Sequence, residues 1–236
     1  MVRRTPTQSF RRGEQGGQAG LRLGRGVSCF RRGDDTKKVQ LERALQALDP
    51  IARPIASSEQ IPTPAPIAAE MLWMAHAKTD IAGRSVADLG SGNGILAIGA
   101  KLLGASRAVG VESDPQAVAV ARRNGERARV DVEWRHGHVT SFRDQVDTVV
   151  MNPPFGAQTR HADRPFLDTA MAVGRVVYTF LNANAEGFVR QRIEDAGGRI
   201  DQRHEYAFPI PHLFSFHRET AREVPVLLYR VEAAKG

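Results

Sequence analysis

Between Ser85 and Val231 the chain alternates short runs rich in Val, Ile and Leu with longer segments whose apolar residues recur at helical spacing. SVADL (85–89), RAVGVE (107–112), VDVEW (130–134), QVDTVVM (145–151), GRVVYTFL (174–181), RIDQRHEYAF (199–208) and EVPVLLYRV (223–231) predict strands. GILAIGAKLLG (94–104), DPQAVAVARRNGE (114–126) and NAEGFVRQRIEDAG (184–197) predict helices. Strands that are apolar at nearly every position need cover on both faces, which helices crossing between parallel strands supply. The order therefore predicts an α/β chain with a doubly wound, mostly parallel, seven-stranded sheet. No helical segment separates the last two strands, so one of them should return antiparallel at the sheet edge.

Upstream of this alternation, VQLERALQAL predicts a helix beginning near Lys37 and stopped by Asp49-Pro50. After a proline-containing linker, Pro64 opens the helical run APIAAEMLWMAHA. Residues 1–35 show no apolar period and are rich in Gly, Arg and Gln, which predicts a disordered basic extension ahead of one folded domain, 36–236. The extension holds eight Arg against Glu14, Asp34 and Asp35, so it carries +5 of the chain's net +7. The high isoelectric point is thus mostly a property of the tail, and charge alone does not name a partner. Cys29 is the one cysteine, which excludes an intrachain disulfide and a cysteine metal cluster. The remaining histidines have no ligand spacing, so no metal is expected. With no apolar run long enough to span a bilayer and no secretory signal pattern, the expected location is cytoplasmic.

Two stretches carry chemistry. The first strand runs into Asp88-Leu89-Gly90-Ser91-Gly92-Asn93-Gly94, and glycines at a first strand-to-helix turn let a nucleotide-like ligand approach the backbone. The dinucleotide fingerprint needs another Gly three places after Gly92, where Ile95 stands, so the spacing argues against NAD. The next strand ends in Glu112, placed to accept from the hydroxyls of an adenosine ribose. The second stretch is MNPPFGAQ (151–158), a buried strand ended by Asn152, Pro153, Pro154 and Phe155.

Together these features resemble the Rossmann-like class I S-adenosylmethionine-dependent methyltransferases, and Asn-Pro-Pro-Phe resembles the signature of enzymes that modify a planar exocyclic or amide nitrogen. Such a nitrogen is a poor nucleophile because its lone pair is delocalised. The Asn152 side-chain oxygen and the Pro153 carbonyl would accept its two hydrogens and turn the lone pair toward the methyl donor, so that positioning rather than a strong base carries catalysis. Pro153 and Pro154 would stiffen the turn, and Phe155 would stack on a base flipped out of its helix.

EQIPTP (59–64), DLGSGNGILAIGA (88–100), MNPPFGAQ (151–158) and IPHLFSFH (210–217) resemble the methyltransferase-like-five family over about residues 37–233. That resemblance implies N6-methylation of one adenosine in small-subunit ribosomal RNA. It implies that Gln60 and Thr63 cover the methionine end of the cofactor, that Asp88, Gly90, Gly92, Asn93 and Ile95 line it, and that His138-Val139 flank its adenine. It also implies a small zinc-binding activator protein as partner. Where the family usually has an Asp accepting from the adenine amine, this chain has His138. A neutral imidazole accepts at one nitrogen only, so cofactor binding is expected to weaken at low pH. His217, Arg218 and Arg222 are candidates for phosphate contacts. The alternatives are a protein-glutamine N5 methyltransferase of release factors and a non-catalytic RNA-binding or assembly factor that keeps the fold.

Overall fold

The structure, a computed structural model, describes residues 32–51, 62–155, 162–209 and 223–234. Two helices, α1 (Arg32–Gln46) and α2 (Ala65–Ala77), precede the alternation β1 (Ser85–Leu89), α3 (Ile95–Leu102), β2 (Arg107–Glu112), α4 (Pro115–Ala128), β3 (Glu133–His136), β4 (Val146–Met151), α5 (Arg164–Val173), β5 (Gly174–Asn182), α6 (Glu186–Asp195), β6 (Arg199–Pro209) and β7 (Glu223–Glu232). The seven strands form one sheet in the order β3-β2-β1-β4-β5-β7-β6. Strands β1 to β5 are parallel, and β7 runs antiparallel between β5 and β6. This is the doubly wound α/β sheet with the antiparallel pairing expected at that edge. The strand order reverses between β1 and β4, and ligands in open α/β sheets bind at the carboxyl ends of such a pair.

Strand periodicity sorts the core into two layers. Val86, Val150, Tyr178, Phe180 and Leu228 face α1, α2 and α3, whereas Ala87, Leu89, Val149, Met151 and Val177 face α5 and α6. Ala97 and Ile98 of α3 continue the first layer toward Ala108 and Val132, with Trp134 against them. A polar network ties β5 and β7 to the turn after α2. Arg230 bonds Asp80 at 2.9 Å, the Tyr178 hydroxyl at 3.1 Å and Asp201 at 2.8 Å, while Tyr178 donates to Asp80 at 2.7 Å. A buried cation so surrounded by acceptors is compensated.

Two boundaries and one helix differ from the sequence expectations. Helix α1 begins at Arg32, ahead of the expected domain start at 36; the rest of the expected basic extension, 1–31, lies outside the described residues. The third strand is Glu133–His136 rather than 130–134. The chain leaves α4 through Arg129 in a left-handed conformation, and Val130 donates back to the Gly125 carbonyl, so the VDV run closes the helix and only Val132 enters the core. Helix α5 was not anticipated, although Pro165 in its first turn and buried Leu167, Ala170 and Val173 at a spacing of three are readable signals.

Candidate active site

The glycine turn is built by backbone conformations that only glycine adopts without strain. Gly90, Gly92 and Gly94 have φ of +75°, +54° and +87°. The N–H groups of Gly90 and Ser91 both donate to the Val111 carbonyl, at 2.8 and 3.0 Å, which folds the turn back onto β2. Gly94 then starts α3 without a side-chain cap of its own. The missing cap comes from β1, where Asp88 Oδ2 accepts from the Ala97 N–H at 3.0 Å.

Two acids at neighbouring strand ends meet different surroundings. Glu112 Oε2 accepts from the Gly92 N–H at 2.9 Å, and Oε1 accepts from the N–H groups of Ser113 and Asp114 at 2.7 and 2.9 Å. This acceptor holds the loop and retains capacity at Oε2 for one further donor such as a ribose hydroxyl. Asp88 is also buried, but its Oδ1 has no hydrogen-bond partner among the described residues. Burial, partly offset by the Ala97 N–H and reinforced by the Glu112 charge, pushes its carboxyl up to about 7. An orphaned acceptor beneath a glycine turn fits a ligand that brings a cationic donor, as the methionine ammonium of S-adenosylmethionine would. A Cβ on Gly90 would come within 2.8 Å of the Phe166 ring, so α5 packs directly against the bare backbone of the turn.

On the far side of Glu112, the Gly137 N–H donates to the Glu112 carbonyl at 2.9 Å, placing His138 and Val139 beside the acid. His138 Nδ1 lies 2.7 Å from Thr140 Oγ1 and accepts from the Thr140 N–H at 3.3 Å, capping the short helical turn Val139–Ser141. With the proton on Nδ1 the ring donates to Thr140 Oγ1 and its outward Nε2 accepts; with the proton on Nε2 that nitrogen donates. The acceptor role expected of His138 toward an adenine amine needs the first of these tautomers. Val139 is buried in the core beside Phe142.

Across the switch point, β1 and β4 pair with Leu89 opposite Met151, so Asn152 emerges next to Gly90. Asn152 Nδ2 donates to Thr63 Oγ1 at 3.0 Å, a bond that fixes the plane of the amide and turns its oxygen the other way. Pro153 is buried and Pro154 half-buried. Phe155 meets Phe208 edge to face at 6.1 Å, and Phe208 meets Phe180 at 5.1 Å, so the ring is backed by the core.

Asp88, Gly90, Gly92, Asn93, Ile95, Glu112 and Asn152 thus gather at one edge, with Thr63 brought in from ahead of α2. Within that group Asn93 turns its amide to the Asp49 carbonyl at 3.1 Å, and Ile95 is buried at the start of α3. Gln60, His217, Arg218 and Arg222 lie outside the described residues. Sequence reasoning passed over Phe166 and Asn124, both of which border this edge. Among the described residues no group of His, Cys, Asp and Glu could hold a metal, and no helix is long and apolar enough to cross a membrane.

The chain is 38% identical to a Methanocaldococcus jannaschii protein, over 83% of this chain and 94% of that one. It is 34% identical to the rRNA N(6)-adenosine-methyltransferase Mettl5 of Drosophila melanogaster, over 82% of this chain and 95% of the relative. The chain belongs to the methyltransferase-like-five family. It is a methyltransferase, and S-adenosylmethionine is its cofactor. Among solved structures, a Pyrococcus horikoshii protein provisionally described as an RNA methyltransferase superposes with a TM-score of 0.79 at 38% identity, covering 84% of this chain and 98% of that one. The family model for ribosomal protein L11 methyltransferase (PrmA) matches residues 70–153, from α2 through the glycine turn to Pro153. That match includes Asn152 and Pro153 and ends before Phe155 and α5.

Proposed function

We propose that this methyltransferase-like-five protein transfers a methyl group to N6 of an adenosine in small-subunit ribosomal RNA, with the target base flipped into the pocket formed by Asn152, Pro153, Pro154 and Phe155. The observation that carries this reading is the Asn152 amide, clamped by Thr63 at the end of β4 and adjacent to the glycine turn. S-adenosylmethionine, when bound, would supply a methyl group activated by its sulfonium. The Asn152 oxygen and the Pro153 carbonyl accept the two N6 hydrogens, which holds the nitrogen with its lone pair toward that methyl group. Methyl transfer would form the N6–C bond as the S–CH3 bond breaks and S-adenosylhomocysteine leaves; the same two acceptors would stabilise the positive charge growing on the nitrogen, whose proton would then pass to solvent water. Phe155 offers a face to the base, stiffened from behind by Phe208.

On the cofactor side, Asp88 takes the methionine ammonium, Glu112 a ribose hydroxyl through Oε2, and Gly90 and Gly92 give backbone approach. Thr63 positions Asn152, and Gln60 completes the cover at the methionine end. His138 and Val139 border the adenine. The enzyme is cytoplasmic and works with a small zinc-binding activator whose metal this chain does not hold.

The test is incubation of the protein, with and without such an activator, with labelled S-adenosylmethionine and small ribosomal subunits lacking the modification. Label in N6-methyladenosine that disappears with Asn152→Ala is the expected result. The match of residues 70–153 to a protein methyltransferase model favours one second reading, a protein acceptor, and label recovered in protein rather than RNA would establish it. Cofactor binding with no transfer to either would leave a non-catalytic assembly factor.

A further inference from the structure

Asn124 is fully buried on α4, and its carboxamide uses every hydrogen-bonding position it has. Oδ1 accepts from the Asp49 N–H at 2.8 Å and, more weakly, from Arg127 Nη2 at 3.4 Å. Nδ2 donates to the Asp49 carbonyl at 3.0 Å and to the Asn93 carbonyl at 2.9 Å. Asn93 returns a bond from its own Nδ2 to the Asp49 carbonyl at 3.1 Å. Outside this knot, Arg127 pairs with Asp49 Oδ1 at 3.0 Å and donates to the Ala47 carbonyl. One buried amide therefore joins three segments that are remote in sequence: the strip 47–51 after α1, the glycine turn, and α4.

These bonds converge on a place where ligand geometry is decided. The strip they hold carries Ile51, whose Cδ1 stands 3.9 Å from where a Cβ on Gly92 would be. Gly92 meanwhile gives its N–H to Glu112. The turn is gripped from one side by an acid and from the other by Asn124, with Ile51 beside it. Helix packing alone would be met by an apolar side chain at 124, whereas this one spends both donors on carbonyls of the strip and the turn.

We propose that Asn124 is a positioning residue for S-adenosylmethionine, holding the strip 47–51 against the glycine turn so that cofactor affinity depends on a side chain that does not touch the cofactor. The inference rests on the assignment of 90–94 as the cofactor turn. Asn124→Asp keeps the size and the acceptor toward the Asp49 N–H but replaces both donors by an acceptor aimed at two carbonyls. In the full-length protein the KM for S-adenosylmethionine is expected to rise about tenfold, with kcat and the KM for RNA within about twofold of the parent. A residue that only supports the fold would lower the melting temperature and the active fraction and leave that KM unchanged.

Hydrogen exchange of the unaltered protein supplies a second reading that does not depend on a variant folding. Addition of S-adenosylhomocysteine is expected to slow exchange in the peptide containing Asp49 while leaving the first turns of α1 unchanged. An unaltered cofactor KM in folded Asn124→Asp overturns the proposal, as does an Asp49 peptide indifferent to bound ligand. Failure of the unaltered protein to bind S-adenosylhomocysteine at all would instead overturn the cofactor-turn assignment beneath it.

Discussion

The ends of β1 and β2 and the end of β4 are neighbours at one sheet edge, yet they are held in shape by different means. On the β1–β2 side the backbone does the holding: three left-handed glycines, two N–H groups on the Val111 carbonyl, and three loop N–H groups on Glu112. On the β4 side a side-chain bond from Asn152 to Thr63 and a row of rings behind Phe155 set the geometry. A cofactor of fixed shape can be met by a rigid backbone cradle. A nitrogen that must be reoriented during reaction is met by side-chain and carbonyl acceptors aimed at where charge develops. Changes on the β4 side should therefore fall on the rate, and changes on the β1–β2 side on affinity and stability.

The sharpest test of that division is Asn152→Ala. Under the proposed function it removes one acceptor made for the transition state, so single-turnover methyl transfer should fall by on the order of a hundredfold to a thousandfold. S-adenosylhomocysteine affinity by calorimetry should stay within about twofold. An equal loss in both would break the comparison, showing that Asn152 shapes the cofactor cradle as well.

Asp88 tests the opposite side. Its carboxyl is raised from 3.8 to about 7 by burial, so the folded chain keeps a proton that the unfolded chain has lost. The stability this proton contributes is fully present below about 3.8 and is lost as pH rises through about 7, on the order of a few kcal/mol. Asp88→Asn should flatten that part of the stability–pH curve and raise the melting temperature of the ligand-free protein at pH 8, while weakening cofactor binding. If melting is unchanged at pH 8, the acid is not a strain held for the ligand.

Glu112 is the counterpart acid with its donors in place. Glu112→Gln keeps the volume but presents an NH2 group to one of the N–H donors at Gly92, Ser113 or Asp114. A loss of about 1–3 kcal/mol in chemical denaturation is expected, together with weaker cofactor binding. A variant that loses affinity with no loss of stability would mean that Glu112 serves the ligand and not the loop.

The two regions also differ in how far they could be read from the sequence. The glycine turn and Glu112 were legible because their chemistry is local: glycine spacing after an apolar strand, then an acid at the end of the next one. The Asn-Pro-Pro-Phe stretch was legible as a motif, but the bond that orients Asn152 joins residues 89 apart, and no spacing rule reports that Thr63 arrives there. Asn124 escaped for the same reason, since within α4 a buried Asn reads as a helix position and its partners lie on two other segments. Strand order 3-2-1-4-5-7-6 followed from class only in part. Alternation gives a parallel doubly wound sheet, whereas inserting β7 between β5 and β6 depends on long-range pairing.

The smallest effect should come from the outer edge of the β1–β2 side, where Asp144 bridges Arg107 and Arg135 at 2.7 and 2.8 Å. Those two guanidiniums hold its carboxyl down at about 2, below the ordinary 3.8. A depressed carboxylate contributes stability that is present above about 3.8 and is lost as pH falls through about 2. The three side chains are between a third and two-fifths exposed, so water and salt screen the attraction. Asp144→Ala should cost less than about 1 kcal/mol at neutral pH, less again at high ionic strength, and nothing in cofactor affinity. A larger loss that also reached the cofactor would mean that the end of β3 is braced from its charged outer edge, and the rigidity of the cofactor side would no longer belong to the glycine turn and Glu112 alone.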